Sequence, residues 1–116
     1  MLKRLALAIT LAPALPAFAQ DTGHDGHMMG DTGAASMAYM EANDRMHAAM
    51  MQDYTGNADV DFIKGMIPHH QGAVEMARIV LEHGTDPEVR KLAEAVIAAQ
   101  EAEIKWMTEW LAKNGG

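Results

Sequence analysis

Apolar residues recur three and four positions apart along most of this chain, and no stretch alternates singly as a half-buried strand would. The spacing predicts an all-α fold of three helices. The first is expected from about Ala34 to Asp53, with Met37, Met40, His47 and Met51 on one face and Asp44 among them. Gly56 and Asn57 then mark a turn within Tyr54–Ala58. The second helix is expected to start at Asp59 as N-cap and to end at Gly84, which suits the C′ position. Phe62, Met66, His69, Ala73 and Met76 share one of its faces, with His70 at the edge. Pro68 lies inside it and predicts a kink or a division, because proline lacks the amide that the helix needs. The third helix has the clearest start: Asp86 caps, Pro87 takes the first position and Glu88 adds charge in the first turn. It is expected to run to about Lys113, with Val89, Leu92, Val96, Ile104, Met107, Trp110 and Leu111 on its apolar side and Gln100 and Glu103 interrupting it. Three amphipathic helices with short turns make a small antiparallel bundle, spanning about residues 36–116. Such a bundle leaves apolar surface to spare, so a homodimer is a candidate assembly.

The chain before this bundle reads differently. Lys3 and Arg4 precede an apolar run, Leu5–Leu15, and Ala17-Phe18-Ala19 supplies the small residues of a cleavage site. Residues 1–19 therefore read as a secretory signal peptide cut after Ala19. The other reading is a membrane anchor, but the run is short of the roughly 20 apolar residues that span a bilayer. A periplasmic or secreted protein is expected, with no membrane contact after cleavage. Residues 20–35 are rich in Gly, Asp and His and have no apolar period, as in a flexible arm.

Cleavage removes two basic residues and leaves 7 basic against 16 acidic side chains. So acidic a surface argues against nucleic acid and anionic membranes as partners. There is no cysteine, so an exported chain of this kind is held by its core, a metal or a partner rather than by disulfides. Methionine, by contrast, is abundant: ten of the eleven remain after cleavage.

Met66, His69, His70 and Met76 fall within an arc of about 120° on an ideal helix. Thioether sulfur is a soft donor that suits Cu(I), with Ag(I) as a surrogate, and imidazole also binds copper. Calcium and magnesium want oxygen, and zinc prefers thiolate or imidazole. A methionine stripe also serves as flexible core filler, and a His-His pair as a structural feature. On the first helix His47 lies one turn from both Met50 and Met51. On the third, Glu103 stands at a core-facing position, where a carboxylate needs a partner. A hydrogen bond to a ligating histidine would satisfy it; a slightly rotated helix would place it at the rim. His24, His27, Met28 and Met29 in the arm form either a metal-capturing tract or a solubilising linker. His83, beside Gly84, reads as a helix-end cation.

No cysteine nucleophile, Gly-rich phosphate loop, G-x-S-x-G or H-E-x-x-H occurs, and no Glu precedes His at the spacing of a di-iron site. No reaction is predicted.

The run Asp59–Ala77, containing Met66-Ile67-Pro68-His69-His70-Gln71-Gly72-Ala73, resembles the bacterial family called domain of unknown function 305. So do Gln100–Met107, Trp110-Leu111, Met46–Met50 and Tyr54-Thr55-Gly56. The resemblance covers about residues 43–112. It implies a ferritin-like helical bundle, often exported; some members are described as periplasmic copper-binding or copper-resistance proteins. Carried over by position, it implies Met66, His69, His70 and Met76 as motif residues, with His47, Met50 and Met107 as further candidates. Asn57 stands where relatives often show Asp, which touches only turn or cap detail. The resulting expectation is a protein that holds or carries Cu(I) for copper tolerance or trafficking, with a metal donor or efflux partner. The alternative is a structural or interaction module whose Met/His face is core or dimer interface.

Overall fold

The computed structural model describes residues 32–115. The signal peptide and the arm residues His24, His27, Met28 and Met29 lie outside the described residues. Three helices follow in order: α1 (Ala34–Met50), α2 (Ala58–His83) and α3 (Pro87–Asn114). No strand occurs among the described residues, as the periodicity predicts. The long central helix α2 carries the packing: α1 and α3 each lie against it, and their backbones do not approach one another closely. The buried apolar side chains are Val60, Ile63, Val74, Ala77 and Ile79 of α2, Ala93 and Met107 of α3, and Ala42 of α1.

The expected start of α3 is observed. Asp86 accepts from the amides of Glu88 and Val89, both at 2.9 Å, and Pro87 follows it. Gly115, at φ 87°, closes the helix in the left-handed conformation that glycine adopts without strain.

Other boundaries differ from expectation. The cap of α2 is Asn57, not Asp59: its side-chain oxygen accepts from the amides of Asp59 at 3.0 Å and Val60 at 3.2 Å. Asp59 and Asp61 then sit in the first turn, where carboxylates favour the helix dipole. Helix α1 stops at Met50 rather than Asp53. Met51 is extended, and Gln52 turns inward so that its Nε2 donates to the Asp61 carbonyl at 3.0 Å. Gly84 is extended, not left-handed; a Cβ there would lie 2.6 Å from the Val80 carbonyl oxygen, so close approach requires the glycine. Pro68 does not divide α2, which runs unbroken through it. Its ring is buried beside Met46, Ala49 and Gly72 where α1 crosses, and the Lys64 carbonyl loses its helical donor.

The largest departure concerns α1. Its Met37, Met40, His47 and Met51 face solvent, and the buried side is built from Ala42 and Met46. Small residues allow close approach: a Cβ on Gly72 would meet the Met46 sulfur at 2.5 Å. Arg45 adds an exposed link, donating from Nε and Nη2 to Glu75 Oε2 at 3.2 and 3.0 Å.

Candidate metal centre

Between α2 and α3 runs an open groove of about 340 Å³, lined by Phe62, Ile63, Met66 and His70 of α2 and by Glu103, Trp106 and Met107 of α3. The lining follows from helical spacing. Phe62, Met66 and His70 are successive i, i+4 positions, and Glu103, Trp106 and Met107 are i, i+3, i+4.

His70 is buried, at 8% exposure, and its Nε2 lies 2.6 Å from Glu103 Oε2. The structure combines the two readings of Glu103: the side chain stands at the rim, 61% exposed, rather than facing the core, and its carboxylate still pairs with His70. An ionised carboxylate only accepts, so Nε2 carries the proton and donates. In the neutral imidazole, Nδ1 then holds the free lone pair. That atom is buried and has no hydrogen-bond partner. An unpaired buried nitrogen is costly. A carboxylate on one ring nitrogen with the other left as a donor is how proteins orient a metal-ligating histidine. Met107, 4% exposed, and half-buried Met66 bring two thioethers to the same groove. Among the described residues no three His, Cys, Asp or Glu side chains converge as a metal-binding group. The residues lining this groove offer one imidazole and two thioethers, and the imidazole is hydrogen-bonded to a carboxylate.

The other candidates stand elsewhere. His69 is exposed; its ring is 6.1 Å from that of His70, edge-on at 60°. Met76 lines a separate apolar groove of about 310 Å³ with Tyr39, Val89, Leu92 and Val96. His47 and Met50 are on the exposed side of α1. His83 is the last residue of α2. The neighbouring carbonyls are met by Arg90, whose Nη1 donates to Leu81 O at 2.6 Å and Gly84 O at 3.0 Å. Arg90 thus ties α3 to the end of α2. Phe62 and Trp106, 62% and 57% exposed, form the lips of the His70 groove; Trp106 one turn beyond Glu103 was the available signal.

Comparison with known proteins bears on the family. The chain is 36% identical over 53 residues to Uncharacterized protein L153 of Acanthamoeba polyphaga mimivirus, a match covering 46% of this chain and 35% of that protein. The chain therefore matches about a third of that relative's length. Residues 9–114 match the family described as Domain of unknown function (DUF305). With a match that runs from the N-terminal apolar run to the last residue of α3, this protein belongs to the DUF305 family, as its Met66–Ala73 motif indicates.

Proposed function

We propose that the protein binds Cu(I) outside the cytoplasm and holds or hands on the ion without transforming it. The observation that carries this reading is the unpartnered, buried Nδ1 of His70, a residue that lines one groove with Met66 and Met107. Copper is cargo here. The protein's part is to keep His70 in one tautomer through Glu103, to offer soft sulfur and to limit water at the ion. Thioethers favour the reduced ion, and Ag(I) shares that preference. His69, His47, Met50 and Met76, with His24, His27, Met28 and Met29 of the N-terminal segment, are further donors that would collect the ion or pass it to a delivery or efflux partner.

The test is calorimetric titration with Cu(I) under anaerobic conditions, on the protein without residues 1–19 and on a form also lacking residues 20–33. Tight binding is expected in both. Met66→Leu and Met107→Leu, which conserve volume, should weaken binding about tenfold or more while costing under about 1.5 kcal/mol in stability. Glu103→Gln should weaken it by about 10- to 100-fold. Affinity no greater than that of an acidic, methionine-poor control would refute the proposal. Variants that lower stability yet leave the titration unchanged would make the groove a packing feature.

A further inference from the structure

Helix α1 is built inside out. Ala42 and Met46 meet α2, whereas Met37, Met40 and Met51 stand 46%, 47% and 86% exposed. Met37, Met40, Asp44 and His47 form a helical series that Met51 continues at the C-cap, with the steps of three and four of a coiled-coil seam. On a helical projection this seam points away from α2, opposite the buried Ala42. Nothing among the described residues covers it.

We infer that this seam is where a second copy of the chain docks, with the two α1 helices antiparallel about a two-fold axis between Arg45 and Met46. The direction is decided by charge. A parallel pair stacks Asp44 on Asp44 and His47 on His47. In an antiparallel pair the two kinds of seam position face each other, so Asp44 meets His47 of the partner subunit, twice. The same register sets Met40 against Met51 of the partner subunit, also twice. At the flanks Asn43 approaches Met50 of the partner subunit and Glu41 approaches Ala48 of the partner subunit, so no like charges oppose. A carboxylate facing an imidazole donor favours this register, and two facing carboxylates reject the parallel alternative. A helix of 17 residues makes a small interface, under about 1,200 Å², so the pair is a reversible one in the micromolar range. This inference does not depend on copper binding.

Sedimentation of the metal-free protein without residues 1–19 tests it, over roughly 10 µM to 1 mM so as to bracket a micromolar dissociation constant. Concentration-dependent dimer is expected. Met40→Glu should leave a monomer with unchanged helix content, since about half of its side chain is already exposed in the single chain. His47→Asp should also give a monomer, and the swap Asp44→His with His47→Asp should restore the dimer. The chain has no cysteine, so introduced ones report the register directly. Mixed Asp44→Cys and His47→Cys chains should form a disulfide with each other in preference to either with itself, because like positions lie beyond the roughly 7 Å that a disulfide spans. A monomer at every concentration overturns the inference. So does failure of the swap to restore pairing, or a dimer that forms only when Cu(I) is added and is lost in His47→Gln.

Discussion

Asp61 shows how one side chain can hold a junction. Thr55 donates its amide and its hydroxyl to Asp61 Oδ1, both at 2.8 Å, and the Gly56 amide donates to Oδ2 at 3.1 Å. The Thr55 amide is the main reason the carboxyl sits below its ordinary range; the Thr55 hydroxyl, the Gly56 amide and the charge of Lys64 act the same way, against partial desolvation. All of these favour the ionised form. A carboxyl lowered by folding contributes stability above its unfolded pKa and loses it as pH falls through the lowered folded value. Asp61→Asn should therefore melt below the parent protein at neutral pH, and the gap should close on acidification below about pH 4. Melting curves of the two proteins across that range check this, and a gap that widens in acid would exclude it. His70 makes the same point about function. The sequence shows a histidine pair and a carboxylate one helix away, and the reason to join them is that a core-facing carboxylate needs a partner. Which of the two histidines it joins depends on about 100° of helix rotation.

At the scale of the helix, register and height decide what shared faces cannot. Met66 and Met76 lie on one arc of α2, but ten residues separate them by about 15 Å along the axis. They therefore line different grooves. The start of α3 was legible because Asp86 and Pro87 are adjacent and agree. The start of α2 was ambiguous because Asn57 and Asp59 are both good caps, and only backbone direction chooses between them. The buried side of α1 was hidden by its composition: alanines form the contact and methionines the surface, against the usual hydrophobic ordering. What permits that contact is Gly72. Gly72→Ala would place a Cβ 2.5 Å from the Met46 sulfur and 3.1 Å from its Cβ, so more than the flexible tip of the side chain must move. The expected cost is about 1–3 kcal/mol, the range for overpacking. Met46→Ala removes the obstructing atoms, and the double variant should be less destabilised than the sum of the two single changes. Denaturant titration of the four proteins measures this coupling, and strict additivity would show that the two residues do not press on each other.

The molecule as a whole is a pair of long helices with a shorter one laid on its back. Helices α2 and α3 have 26 and 28 residues against 17 for α1. Among the described residues α1 contributes one buried apolar side chain of the core, Ala42, where α2 contributes five. Its polar link to α2, Arg45 with Glu75, is exposed, and exposed ion pairs are worth roughly 0–1 kcal/mol. Elements with little buried apolar surface open before the rest of a domain unfolds. Native-state hydrogen exchange should therefore find α1 amides opening at a lower free energy than those of α2 around Val74–Ile79. Pairing through the outer face of α1 would add protection by mass action, so α1 exchange should slow as protein concentration rises while that of α3 stays unchanged. Uniform exchange across all three helices would show instead that the small contact at Gly72 binds α1 as firmly as the apolar surface between α2 and α3 binds them. The proposed copper groove lies on the more firmly packed pair, so opening of α1 should leave His70 and Glu103 in place. Copper affinity should then be the same in the monomeric Met40→Glu variant as in the parent protein, because the groove draws no residue from α1.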